Sequence, residues 1–367
     1  MPFDASLYTP AQPIRSGTVG VDGFAAARRL QWWRAPIWAA AVLTGAKSFV
    51  DNPILGSKKL NEAGLHAWRL RSAHRLGSWR RARLAHRISP RHKAAFDRDG
   101  FVVVPDVLQA EQLDALRSAI ADAELECRDH QQGDTITTRL AVGPELLRRV
   151  PALAELLDTP WWTGLMAYVA STRAKPLYYI QAIAGGVAEG PADPQLELHS
   201  DTFQPSLKAW LFLTDVREDG RPLTYVAGSH RLTAERIAWE KDKSVEIARA
   251  DRLSQRGSLR VRPDELPALG LPQPTHFSVP ANTLVVADTC GFHARAASDR
   301  PTLRIELWAY TRRSPFLPWT GLDLLSWRPL AVRRAEWLAN IVDWLDRRGW
   351  KKQQWRRAGP WREVVKL

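Results

Sequence analysis

The sequence predicts an α+β fold with a mainly β core, a sandwich or barrel of short strands. Helices flank that core, and a basic helical extension lies at each end. Three observations predict this. Between residues 175 and 310, short apolar runs alternate with Gly, Pro, Asn and Asp punctuation, the pattern of strands joined by turns. Before residue 170, apolar residues recur instead at helical spacing. Charge divides the chain a third way. Residues 1–93 carry 16 Lys/Arg against 4 Asp/Glu, and residues 319–367 carry 11 against 5. The middle, 94–318, holds the remaining 25 basic and 30 acidic residues, so an acidic centre lies between basic flanks. The expected organisation is therefore an extension over 1–93, a main domain over 94–318 and a C-terminal helix and tail over 319–367.

Element by element, residues 1–23 read as a loose lead-in and 24–50 as a short apolar helix or helix pair. Residues 65–88 have helical rhythm, with Leu65, Trp68, Leu76 and Trp79 on one side and most arginines elsewhere. "FVVV" at 101–104 reads as a strand, followed by a helix whose apolar stripe is Leu113, Leu116 and Ile120. More helix follows over 144–170, broken near Pro151 and Pro160. Strands are expected at 175–186, in "LELHSD" (196–201), and at 207–216, 222–230, 282–289 and 303–310. Residues 231–276 form a charged, partly helical insertion. An amphipathic helix and a basic tail close the chain.

Twelve of the 17 tryptophans lie in the two flanks. Basic side chains mixed with Trp suit an anionic membrane surface. Such charge also permits nucleic acid, but no recognised nucleic-acid motif accompanies it. The best apolar window, 35–46, falls short of the roughly 20 residues that cross a bilayer. Arg28 and Arg29 precede it as in a twin-arginine signal. Arg34 and the tryptophans crowd its start, however, and no small-x-small cleavage site ends it. Cys127 and Cys290 offer neither a zinc spacing nor a disulfide framework, which fits a reducing compartment. The expected location is cytoplasmic, peripheral on the inner membrane face.

The chemistry begins at "LELHSDTF". In a strand, residues i and i+2 share a face, so His199 and Asp201 would project together. They are either a polar pair satisfying each other or two ligands of one metal. About ninety residues on, "TCGFHARAASDRPTLRIELWAY" holds an isolated His293 and then Arg304 on the next strand. Two imidazoles and one carboxylate on one side of a metal leave three positions open, which suits non-haem Fe(II). A buried Arg304 needs an anion, and Glu306 on its own face is one candidate. Arg300, in the preceding loop, competes as an anion clamp from a wetter segment. His230 reads as a turn residue. His66, His74, His86 and His92 read as surface residues, having no Cys or acidic companions.

With "FDRDGFVVVPDVLQAEQLDALRSAI", "HSD", "LKAWLFLTDVREDGRPLTYVAGSHR" and the His293 to Arg304 segment in view, residues 95–315 resemble the phytanoyl-CoA dioxygenase family of Fe(II)/2-oxoglutarate oxygenases. The resemblance implies a double-stranded β-helix (jelly roll, cupin-like) with the metal at its open mouth. It implies iron held by His199, Asp201 and His293, with 2-oxoglutarate and O2 as cosubstrates. Arg304, eleven residues after His293, would take the distal carboxylate of 2-oxoglutarate, and Trp210 would stand beside the cosubstrate. A carboxylate at position 201 argues for hydroxylation, because the family's halogenases carry a small residue there. Tyr179 and Gln181, sharing a strand face, are candidate pocket residues. The basic, Trp-rich flanks depart from the family pattern and point to a small or lipid-linked, anionic substrate at a membrane surface. The alternative is a non-catalytic member of the fold that binds lipid or nucleic acid.

Overall fold

The computed structural model describes residues 32–365; the expected lead-in and the Arg28–Arg29 pair lie outside them. The chain runs through α1 (Ala35–Ala41), α2 (Lys58–Glu62), α3 (Leu65–Leu84), α4 (Pro90–Asp99), β1 (Phe101–Val104), α5 (Ala110–Ala121), β2 (Glu126–Gln132) and β3 (Thr135–Ala141). Helices α6 (Pro144–Arg149), α7 (Pro151–Asp158) and α8 (Pro160–Ala170) each begin at a proline, which is pre-organised for a first helical turn. Next come β4 (Leu177–Gly185), β5 (Leu207–Phe212), β6 (Leu223–Tyr225), α9 (Ala234–Val245), α10 (Arg252–Gln255), β7 (Thr275–His276), β8 (Leu284–Asp288), β9 (His293–Arg295) and β10 (Thr302–Thr311). The chain closes with α11 (Arg328–Ala331), α12 (Arg334–Arg347), β11 (Arg356–Pro360) and α13 (Trp361–Val364).

The strands form an eight-stranded antiparallel sheet, order β1-β8-β5-β10-β4-β3-β2-β11, and a three-stranded one, order β7-β6-β9. Period-two alternation gives the large sheet two different faces. On β10, Ile305, Leu307 and Ala309 join Leu116, Ile120, Leu153, Trp162 and Leu165 in the main core, so this face is covered by α5, α7 and α8. The intervening Trp308 packs instead with Trp210, Phe212 and Val285, and with Leu223 and Tyr225 of the small sheet. Two facing sheets with helices outside make the expected double-stranded β-helix.

Several elements differ from expectation. "LELHSD" is not a regular strand; His199 makes isolated bridges to Arg260 and His293. The pairs β2–β3 and β2–β11 were not legible in the sequence, because both alternating faces carry polar residues. Helix α3 buries His66, Arg69, Ala73, Gly77 and Arg80 rather than its tryptophan stripe, and Trp68 and Trp79 remain exposed. Small residues explain the choice. A Cβ on Gly77 would stand 2.7 Å from Pro205 Cγ, so only glycine lets the helix approach that loop. The buried arginines end on carbonyl oxygens: Arg69 on those of Val42, Thr44 and Ala46, and Arg80 on those of Ser171, Pro315 and Leu317. Burial pulls both guanidinium pKa values down to about 10, which leaves them charged at neutral pH. No helix among the described residues is long and apolar enough to cross a membrane.

Candidate metal centre

Two chain segments are zipped together to make the site. His199 N–H donates to His293 O (3.0 Å) and His293 N–H to His199 O (2.9 Å). That reciprocal pair sets the two residues directly opposite each other, with ring centroids 4.5 Å apart. Asp201 N–H donates to Thr289 O (2.9 Å), extending the register toward the end of β8.

The turn carrying His293 is built by Asp288, fully buried at the end of β8. Its Oδ1 accepts from the N–H groups of Ser206 (2.9 Å) and Cys290 (3.1 Å), while Oδ2 accepts from Arg81 Nη2 (2.5 Å). Tyr225 Oη donates to the Asp288 carbonyl (2.8 Å) and Phe292 N–H to Ser229 Oγ (2.8 Å). A Cβ on Gly291 would fall 1.9 Å from Tyr225 Oη, so this turn tolerates only glycine. The "GSH" segment thus works through its serine. His230 packs on Phe96 (5.2 Å) and takes no part in the ligand cluster.

His199 Nδ1 lies 2.8 Å from Glu197 O, and His293 Nδ1 3.1 Å from Gly291 O. A carbonyl only accepts, so each Nδ1 carries the proton and each Nε2 presents a lone pair. Both Nε2 atoms are buried without a hydrogen-bond partner. Burial keeps both rings neutral: it lowers His199 well below the usual histidine range and His293 to about 4. Asp201 Oδ2 stands 3.6 Å from His293 Nε2, and Oδ1 4.0 Å from His199 Nε2. Burial opposes ionisation of Asp201, but Lys208, 2.6 Å away, and the two histidines together outweigh it and hold the carboxyl well below its ordinary range. Lys47 Nζ donates to the Asp201 carbonyl (2.5 Å), and burial brings its amine down to about 8. Candidate ligand atoms from His199, Asp201 and His293 lie within 4.8 Å of one another, an arrangement that could hold a metal ion. Two buried lone pairs and a carboxylate fit a divalent transition metal.

The remaining predicted residues lie on the inner face of the large sheet. Trp210 stands opposite Trp308 and Val285. Arg304 pairs with Glu306 (Nε–Oε2 2.9 Å) and donates from Nη1 to Arg221 O (2.7 Å); its other terminal nitrogen has no partner among the described residues. Gln181 is buried and spoken for, donating to Glu306 Oε1 and accepting from Arg139 Nε, both at 2.7 Å. Tyr179 lines a cavity beside α12. Arg300 is exposed beside Asp219. The reading of His66 and His74 as surface residues is corrected. His66 is buried on Glu240 (2.8 Å), and His74 contacts Phe203 O (3.2 Å), with burial lowering its pKa to about 4. Residues that sequence reasoning missed are Asp288, Arg81, Lys208 and Lys47. Of these, Asp288 left a signal, a single acid ending an otherwise apolar strand.

Residues 96–261 match the phytanoyl-CoA dioxygenase (PhyH) family model, a span that includes His199, Asp201 and Trp210 and ends before His293. No curated protein matches the chain. Similar solved structures include the non-heme alpha ketoglutarate dependent carbocyclase SnoK from nogalamycin biosynthesis, 19% identical over 62% of this chain and 83% of that one, TM-score 0.39. HygX from Streptomyces hygroscopicus, with nickel and 2-oxoglutarate bound, is 16% identical over 61% and 87%, TM-score 0.39. EctD from S. alaskensis with bound Fe is 18% identical over 62% and 77%, TM-score 0.34. Residues 96–261 of the chain are therefore similar to the phytanoyl-CoA dioxygenase family.

Proposed function

We propose that this chain is an Fe(II)- and 2-oxoglutarate-dependent dioxygenase that hydroxylates a C–H bond of a small or lipid-linked, anionic substrate at a membrane surface. The observation that carries the oxygenase reading is the pair of buried, unpartnered Nε2 lone pairs meeting one carboxylate. His199, Asp201 and His293 would hold the iron. When bound, Fe(II) and 2-oxoglutarate would supply the electrons that activate O2 for attack on a C–H bond.

The protein's own groups orient and shield. The carbonyls of Glu197 and Gly291 fix both imidazole tautomers. Arg304 keeps a terminal nitrogen for the distal carboxylate of 2-oxoglutarate, and Glu306 and the Arg221 carbonyl hold the rest of its guanidinium in place. Trp210, Trp308 and Tyr179 form an apolar wall that keeps water from the inner face. The carboxylate at position 201 supports hydroxylation over halogenation.

Support for the membrane placement comes from the C-terminal segment. Leu322 and Leu324 are each 85% exposed, Trp350 is 70% and Trp327 67%. One face of α12 adds Trp337, Leu338, Ile341 and Trp344. Exposed Arg328, Arg333, Arg347, Arg348, Lys351 and Lys352 lie among them. An apolar patch set in cations is complementary to an anionic lipid surface.

The test of the oxygenase reading is anaerobic Fe(II) titration with 2-oxoglutarate, followed by the weak visible metal-to-ligand charge-transfer band. The band is expected in the wild type, absent in His199→Ala, and dependent on far more cosubstrate in Arg304→Ala. A folded wild type with no band, and no succinate formed, would leave a lipid-binding protein without chemistry.

A further inference from the structure

A cavity of about 550 Å3 opens between α12 and the β2–β3 side of the large sheet. None of the three candidate ligands lines it; Tyr179 and Arg139 do. Tyr179 leans on Trp308 (6.0 Å), which stacks on Tyr310 (5.6 Å) on the same strand face. Tyr310 is opposite Lys208, the partner of Asp201. The cavity is therefore connected to the metal centre by a layer of aromatic rings.

Arg139 is unlike the other arginines of this region. Arg128 pairs with Asp343, Arg221 with Asp134, Arg295 with Asp193, Arg304 with Glu306, and Arg357 with Glu126. No carboxylate among the described residues forms an ion pair with Arg139. Its Nε donates to Gln181, and its guanidinium carbon lies 4.1 Å from the ring centroids of both Trp308 and Trp355. Cation–π contact eases the burial of the charge but uses none of the N–H donors. Burial lowers the Arg139 pKa only to about 10, so the group is charged at neutral pH. Arg139 is half-buried, and a partly desolvated cation without a counter-ion is costly unless an anion completes it. The rings hold the guanidinium plane, and the two terminal nitrogens, without hydrogen-bond partners among the described residues, form a fork that matches a carboxylate or phosphate. Of the acids lining the cavity, Glu126 and Glu145 are paired with arginines. Glu336 has no ion pair and sits beside Gly143, in the loop after β3.

We propose that Arg139, clamped between Trp308 and Trp355, anchors an acidic group, a carboxylate or phosphate ester, at the end of the substrate remote from the metal. The assignment rests on the oxygenase reading for the word substrate. It also gives the C-terminal tail a role in specificity: Trp355 comes from that tail, and α12 forms the opposing wall.

The test uses the full chain, loaded anaerobically with Fe(II) and saturated with 2-oxoglutarate. The probes are octanoate and octyl phosphate, which separate the two acidic groups, with octanol as the uncharged control. Tryptophan fluorescence and calorimetry report binding. Saturable binding of at least one anion is expected, weakened about tenfold or more in Arg139→Gln, with octanol unaffected and the charge-transfer band retained. Equal anion affinity in wild type and Arg139→Gln overturns the anchor. Loss of the band in Arg139→Gln also overturns it, because Arg139 would then serve the cosubstrate. If Arg139→Gln does not fold, Arg139→Lys, which keeps the charge but not the fork, makes the same comparison. A wild type without the band sinks the oxygenase reading separately, and the anion titration still decides whether Arg139 is an anion site.

Discussion

Lys208 stands 2.6 Å from Asp201, so a divalent ion held by His199, Asp201 and His293 would compete with an ammonium for that carboxylate. The pair is mostly buried, and removing one member leaves the other charge uncompensated. Lys208→Met is expected to lower the stability of the metal-free protein by about 1–3 kcal/mol. Metal binding then has no competitor, so the rise in melting temperature on adding Mn(II) should be larger than in wild type. An unchanged rise would mean that Lys208 stays on Asp201 alongside the metal. The grouping of His199, Asp201 and His293 was legible in the sequence, since two imidazoles and a carboxylate are candidate ligands of one metal. Lys208 and Lys47 were not, because nothing in a sequence says which lysine a fold will turn inward.

At the scale of elements, α3 is joined to α9 by a buried triad. Glu240 accepts from His66 (2.8 Å) and from Arg236 Nε (2.9 Å). Burial alone would raise the Glu240 carboxyl, but Arg236 and His66 outweigh it and bring it from the ordinary 4.5 to about 2. A folded value below the unfolded one means that the unfolded chain takes up the proton first as pH falls. The contribution is therefore complete above about pH 5 and is lost between there and pH 2. Melting temperatures of wild type and Glu240→Gln should differ clearly at pH 7 and converge toward pH 2.5. A constant gap across that range would show that ionisation of Glu240 does not bind the two helices. The sequence rhythm of α3 was read correctly as helical. Its buried side was not, because hydrophobic periodicity cannot anticipate a face built from Ala73, Gly77 and arginines that end on backbone carbonyls.

For the whole molecule, the two basic flanks have different fates. Residues 65–84 pack into the body, where Arg81 steadies the Asp288 turn. The C-terminal flank is divided. Trp361 is fully buried in the main core and β11 extends the large sheet, whereas the outer face of α12 stays open to solvent. Replacing Trp337, Ile341 and Trp344 with serine is expected to leave the melting temperature nearly unchanged and to abolish co-sedimentation with vesicles containing anionic lipid. Wild-type binding should weaken with salt and with neutral lipid. If the wild type instead proves dimeric in solution and the triple variant monomeric, the patch is an interface between copies and the membrane placement fails.

The sequence by itself determined the helices between residues 110 and 170, most of the strands after 175, the candidate ligand types and the His293 to Arg304 spacing. These follow from periodicity and side-chain chemistry, which are local. Tertiary structure decided what depends on which distant groups meet. It paired Arg304 with Glu306, closed Gln181 into a hydrogen-bond chain and turned the stripe of α3 outward. It also formed β2, β3 and β11. "ECRDHQQ" and "TITTRLA" lack clean apolar alternation because their inner positions carry Arg128, His130 and Arg139 toward the β-helix interior. "RRAGP" becomes a strand only because the β2 edge is there to pair with it. A polar inner face is the mark of a ligand-binding interior, and it is also what hides those strands from a reading based on hydrophobic pattern.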